Sequence, residues 1–146
     1  MVTIYKIIGN DILRAAAVSW FVAQFIKFIY TLIKYKKLDF RRFVGSGGMP
    51  SSHSSFAMGL STAVGLKVGF DSVEYAITIC FALVVMYDAS GVRRAVGIQA
   101  KLLNQLINDL IELKHIEKNL KELIGHTPFE VLIGAFLGII IANIII

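Results

Sequence analysis

Residues 12–33 form an apolar stretch whose only charges are Arg14 and Lys27. A helix of that length spans roughly 30 Å of hydrocarbon, so the chain must be read against a bilayer before anything else. No small-residue cleavage site with a polar sequence behind it follows, so the stretch reads as an anchor and not as a removed signal peptide. A shorter stretch, 54–70, is rich in Gly, Ala and Ser; a third covers 75–91 and a fourth 128–146. Composition agrees. Apolar residues make up 56% and charged residues 17%, against about 45–50% and about 25% in ordinary soluble chains. A soluble domain of 146 residues would leave too much of that apolar surface in water. With 2 Pro, 12 Gly and 1 Cys, disordered, collagen-like and disulfide-scaffold chains are excluded. The expected fold is all-α: an integral membrane helical bundle forming one domain, 1–146, with about four transmembrane helices plus one amphipathic helix on the cytoplasmic face.

Four crossings put both long polar connections, 34–53 and 92–125, on one side of the membrane. Lys34, Lys36, Lys37, Arg41, Arg42, Arg93, Arg94, Lys101, Lys114, Lys118 and Lys121 lie there, while Lys6, Arg14 and Lys67 lie on the other. The positive-inside rule makes the richer side cytoplasmic. Because these basic residues hug span ends, a lipid surface accounts for the net charge of +5 better than nucleic acid does.

Within 99–123, Leu103, Leu106, Leu110, Leu113 and Leu120 recur at helical spacing with polar residues between them. This predicts an amphipathic helix lying along the membrane face or against a partner. Gly134/Gly138 and Gly65/Gly69 each make a G-x-x-x-G pair, which serves either packing inside the bundle or a homodimer contact. Cys80 falls mid-span, where a thiol acts as a small apolar group.

Three segments carry candidate chemistry. In Gly47-Gly48-Met49-Pro50-Ser51-Ser52-His53-Ser54, a bend opens a helix whose first amides and dipole suit an anion. A serine N-cap would account for Ser51 and Ser52 but not for His53. In Gly125-His126-Thr127-Pro128-Phe129-Glu130, the last residues read as N-cap, first helical position and capping-box acid. Spacing also places Glu130 four residues from His126, where a carboxylate could orient a neutral imidazole for nucleophilic attack. In Tyr87-Asp88-Ala89-Ser90-Gly91-Val92-Arg93-Arg94, an acid and two arginines sit at a span end, where charge marks either a site or a buried pair. Arginine's fork of donors matches phosphate oxygens. Lys27, seven residues before Lys34, either snorkels to the surface or faces a polar cavity.

On these three segments the sequence resembles the type 2 phosphatidic acid phosphatase superfamily. It is closest to the divergent branch labelled acid phosphatase/vanadium-dependent haloperoxidase-related membrane proteins. The superfamily motifs are K-x6-R-P, P-S-G-H and S-R-x5-H-x3-D. Pro50-Ser51-Ser52-His53 matches the second with Ser52 for Gly, which implies that His53 is the general acid. His126-x3-Glu130 matches the end of the third with Glu for Asp, which implies that His126 is the nucleophile and Glu130 its orienter. Lys34-x6-Arg41 has the first spacing without the Pro. Ser90, Arg93 and Arg94 are the nearest stand-ins for the Ser-Arg pair. The resemblance implies phosphate binding by Lys27, Lys34, Arg41, Ser51, Ser52, Arg93 and Arg94, with Asp88 as a polar partner and no metal or cofactor. It further implies a bacterial cytoplasmic-membrane enzyme hydrolysing a phosphomonoester or diphosphate of a lipid through a phosphohistidine. The alternative is a non-catalytic protein that holds a phospholipid headgroup or a partner in the same cationic pocket.

Overall fold

In the computed structural model, α1 (Asp11–Tyr35) starts where Asn10 caps it: the Asn10 Oδ1 accepts from the amides of Ile12 and Leu13 at 3.0 and 3.2 Å. The structure describes residues 5, 9–35, 48–110, 120, 122 and 124–146. Along α1 the buried positions are Ala15, Ala16, Ser19, Ala23, Gln24, Lys27 and Thr31, a stripe of small and polar side chains at three- and four-residue spacing. Trp20, Phe21, Phe25, Ile26 and Ile29 point outward. This polarity is the reverse of a soluble helix: the apolar face meets lipid and the small face meets protein.

The second helix, α2 (Ser52–Val68), carries the bundle's core. Ser51 is its N-cap, with Oγ accepting from the Ser54 amide at 3.4 Å, and Gly69 ends it at φ 112°. It packs against α1, against α3 (Val73–Ser90) and against α5 (Pro128–Ile145). Small side chains permit this. A Cβ on Gly59 would strike the Ser19 hydroxyl; one on Gly134 would strike the Ser51 carbonyl, and one on Gly138 the Ser55 carbonyl. Ser55 Oγ donates to the Ser19 carbonyl at 2.9 Å, tying α1 to α2. The Gly134/Gly138 pair is therefore spent inside the bundle, while Gly65 backs onto the Phe70 ring and Gly69 forms the helix end. Neither pair faces outward as a dimer contact would require.

Three segments are long and apolar enough to cross a membrane: Asp11–Ile33, Val73–Ile107 and Pro128–Ile145. At 17 residues with a serine-rich first half, α2 falls short of that measure. Its position explains this, since a helix ringed by three others needs no apolar coat against lipid. The chain is an all-helical membrane bundle, with the apolar side chains of α1, α3 and α5 on its outside.

The amphipathic helix is placed differently from the expected 99–123. It is α4 (Val92–Leu110), starting one residue after α3, and Leu120, Glu122 and Ile124 are not helical. Residues 111–119 lie outside the described residues. The cause is Asn104, nine-tenths buried on α4. Its side chain donates to the Leu120 carbonyl at 2.9 Å and the Glu122 carboxylate at 2.7 Å, and accepts from the Leu120 amide at 2.8 Å. By Leu120 the chain has turned back along α4, so the leucine that continues the sequence periodicity belongs to a returning strap.

Candidate functional site

Two backbone hydrogen bonds draw the three candidate segments together. The Ser51 amide donates to the Glu130 carbonyl at 3.1 Å, and the His126 amide to the Ala89 carbonyl at 2.9 Å. Gly125, at φ 88°, lies directly on the Arg93–Arg94 backbone where any Cβ would collide. That residue must be glycine both for its left-handed conformation and for the approach. The strap thus hands His126 to the α3–α4 corner, beside the start of α2.

His53 and His126 meet there edge-on, with ring centroids 6.4 Å apart and planes at 68°. His126 is 3% exposed, and neither ring nitrogen has a hydrogen-bond partner among the described residues. Burial lowers its pKa from the ordinary 6.5 to about 4, and the charges of Lys27, His53 and Arg93 act in the same direction. At neutral pH the ring is therefore an unprotonated, unengaged imidazole, the state a nitrogen nucleophile requires. His53, at the first turn of α2, is the more open of the two.

Cations surround the pair. Lys27 is 2% exposed, and its methylene stem lies beneath Gly48. Arg93 shares a cavity of about 250 Å³ with His53 and Asp88. Its Nε donates to the Asp88 carboxylate at 2.5 Å, so the acid and one arginine are indeed an ion pair. Arg94 lines a second cavity, of about 370 Å³, together with His126, Thr127 and Glu130. At the start of α2, Ser51 Oγ is taken up as cap, and the Ser52 and His53 amides, which have no partner within the helix, stand at its positive end.

Glu130 behaves differently from the orienter that its spacing implies. Its Oε2 accepts from the Thr127 amide at 2.8 Å while Thr127 Oγ1 accepts from the Glu130 amide at 3.3 Å, a complete capping box. A four-residue spacing brings side chains together only within a helix. Here the helix begins at Pro128, so His126 sits in the extended chain before the cap. Glu130 lines the same cavity as His126 without bonding to it. The Lys34 side chain and Arg41 lie outside the described residues.

Two residues of this site were missed in the sequence. Lys101 lines the larger cavity with Arg94; the seven-residue spacing between them on one helix was the available signal. Asn104 fixes the strap that carries His126, and nothing in the sequence marks its partner. Among the described residues, no three His, Cys, Asp or Glu side chains gather in a way that could hold a metal ion.

A profile described as the Divergent PAP2 family matches residues 8–141 of the chain. The sequence is 37% identical over 152 residues to a Bacillus subtilis (strain 168) protein described as "Uncharacterized membrane protein YuiD", with 96% of each chain covered. No solved structure matches it.

Proposed function

Since the chain belongs to the divergent PAP2 family, we propose that it is a membrane lipid phosphatase working through a phosphohistidine on His126. The observation that carries this reading is the pairing, with ring centroids 6.4 Å apart, of His53 with a buried His126 that has no hydrogen-bond partner among the described residues, each ring lining a cavity that also holds an arginine. A spacing of that size leaves reach for one phosphoryl group or one water between the rings.

A His126 nitrogen forms a bond to phosphorus with its lone pair, and the bond from phosphorus to the leaving oxygen breaks with its pair on that oxygen. His53 gives the leaving oxygen its proton. Water then attacks the phosphorus, its proton passes to His53, and the phosphorus–nitrogen pair returns to His126. Lys27, Arg93, Arg94 and the amides of Ser52 and His53 hold the phosphoryl oxygens and stabilise the charge they gather in the transition state. Glu130 contributes by fixing the start of α5, one turn from His126.

An apolar groove of about 430 Å³ lined by Trp20, Phe56, Phe81 and Val85 reaches His53, which supports a lipid as the source of the phosphate. The site faces the cytoplasm in this reading, supported by the basic residues at that end. The test is to trap the intermediate. Brief exposure to a lipid phosphate carrying a radiolabelled phosphoryl group should leave label on the protein that survives alkali and is lost in acid, as a phosphoramidate is. The label should vanish in His126→Gln. Label on another residue, or none during active turnover, contradicts the phosphohistidine.

A further inference from the structure

The bundle gives α4 no helix to pack on. Among the described residues it touches α3, out of which it grows, and no other helix. The Gly91 amide donates to the Tyr87 carbonyl at 2.8 Å and the Gly91 carbonyl accepts from the Ala95 amide at 2.9 Å, so helical hydrogen bonding runs through the join. One face of α4 is taken up by the strap. Gly97, Ala100 and Asn104 are buried there at three- and four-residue spacing. Gly97 lies against the Glu122 and Ile124 carbonyls, and Asn104 holds Leu120 and Glu122. The neighbouring face is open: Val92, Val96, Leu102, Leu103 and Leu106 are 44% to 61% exposed. Arg94, Lys101 and Gln105 fall on the side of the helix away from it.

What covers that face follows from where α4 begins. The 18 residues of α3 rise about 27 Å, nearly the roughly 30 Å of hydrocarbon in a bilayer, so α4 starts at the membrane surface. The outward side chains of α3, among them Phe81 and Val84, meet lipid, and the apolar segment Val73–Ile107 continues past Gly91 into α4. From Val92 to Ile107 the sequence carries Arg93, Arg94 and Lys101 and no acid, a balance that suits anionic headgroups. We propose that α4 is seated in the bilayer surface, with Val92, Val96, Leu103 and Leu106 among the acyl chains, and that this seat holds the strap carrying His126 in place. Gln99 is the polar residue on the seated face, and at the boundary between headgroups and chains its amide meets lipid ester oxygens. Lipid thus supports α4 as α2 supports the other helices. Because the strap hangs on Gly97 and Asn104, lifting α4 from the surface would pull on the two contacts that dock His126. These are its amide on the Ala89 carbonyl at 2.9 Å and Gly125 on the Arg93–Arg94 backbone. The bilayer surface, as distinct from any lipid bound between the histidines, is a structural partner of the site.

The test places single cysteines in a Cys80→Ala background, each carrying an environment-sensitive fluorophore, in vesicles of phosphatidylcholine and phosphatidylglycerol. Lipid brominated in its acyl chains should quench the probe at Leu103→Cys and Leu106→Cys and leave Gln105→Cys bright. Equal quenching at all three positions, or none at Leu103→Cys, overturns the seat. A disulfide-linked dimer of Leu103→Cys that persists on dilution into excess lipid overturns it in favour of a second copy of the chain. The hold on the strap is read by hydrogen exchange in the same vesicles. Leu103→Glu combined with Leu106→Glu should speed exchange of the His126 amide at least about tenfold, the worth of one leucine's burial. The amides of α2 should keep their wild-type rates, which shows the bundle still folded. Unchanged exchange at His126, or equal acceleration in α2, overturns the claim that lipid holds the strap. None of these readings needs turnover, so their failure leaves the phosphatase reading where it stands.

Discussion

His126 gathers the site's chemistry in one side chain, and its burial has a consequence that can be read by pH. Its pKa of about 4 lies below the ordinary 6.5, so between these values the unfolded chain binds the proton that the folded chain refuses. Stability then rises with pH across that window and is flat above it. Relative to His126→Gln, which cannot titrate, the wild type should lose thermal stability as pH falls from 6.5 towards 4. A difference that stays constant over the range contradicts a buried neutral imidazole. For Glu130 the capping box sets the expectation. Glu130→Ala should lower unfolding stability by about 1 kcal/mol, and Glu130→Gln by less, because the amide oxygen can accept the same Thr127 N–H. Both histidines were legible in the sequence because glycines, prolines and hydroxyl residues crowd around them. So was the capping box of Thr127 and Glu130; the pairing of Glu130 with His126 that the spacing also suggested does not form, because a four-residue spacing brings side chains together only once the helix has begun.

Among the elements, α2 decides how the others meet. Its serines, alanines and glycines let α1 and α5 approach until Gly138 lies against the Ser55 carbonyl and Gly59 against the Ser19 hydroxyl. Gly138→Ala should therefore cost about 1–3 kcal/mol through forced separation of α2 and α5, measured as a lower denaturation midpoint in detergent. No loss of stability would contradict the close crossing. Asn104→Ala should act on the strap instead, freeing Leu120 and Glu122 and exposing nearby amides to faster hydrogen exchange. The sequence announced α1, α3 and α5 by their apolar length and α2 as the shorter stretch 54–70. It announced the amphipathic helix by its leucines too, but put its end at residue 123. A returning strap can keep a helical spacing of leucines by chance, and only the long-range pairing of Asn104 with Leu120 shows where the chain has turned.

At the scale of the whole molecule, the bundle is built with its apolar side chains outward and its small and polar ones inward. That inversion is why composition identified a membrane protein so directly, and why the central helix shows in the sequence as a short Gly-, Ala- and Ser-rich stretch. With α2 rising about 1.5 Å per residue, Lys67 at its last turn stands far from His53 at its first. In a Cys80→Ala background, Lys67→Cys and Lys101→Cys should react with a membrane-impermeant thiol reagent from opposite sides, with Lys101→Cys protected in intact cells. Labelling of both from outside would contradict the orientation. The most direct test of the function is phosphate release from lipid phosphates in detergent with EDTA present, comparing wild type with His126→Gln and His53→Gln at matched folding. The expected result is release that each substitution lowers by at least about a hundredfold, as the loss of a nucleophile or a general acid does. Release indifferent to His126, or none from any lipid phosphate, would contradict the phosphatase and leave a cationic pocket that binds without cleaving.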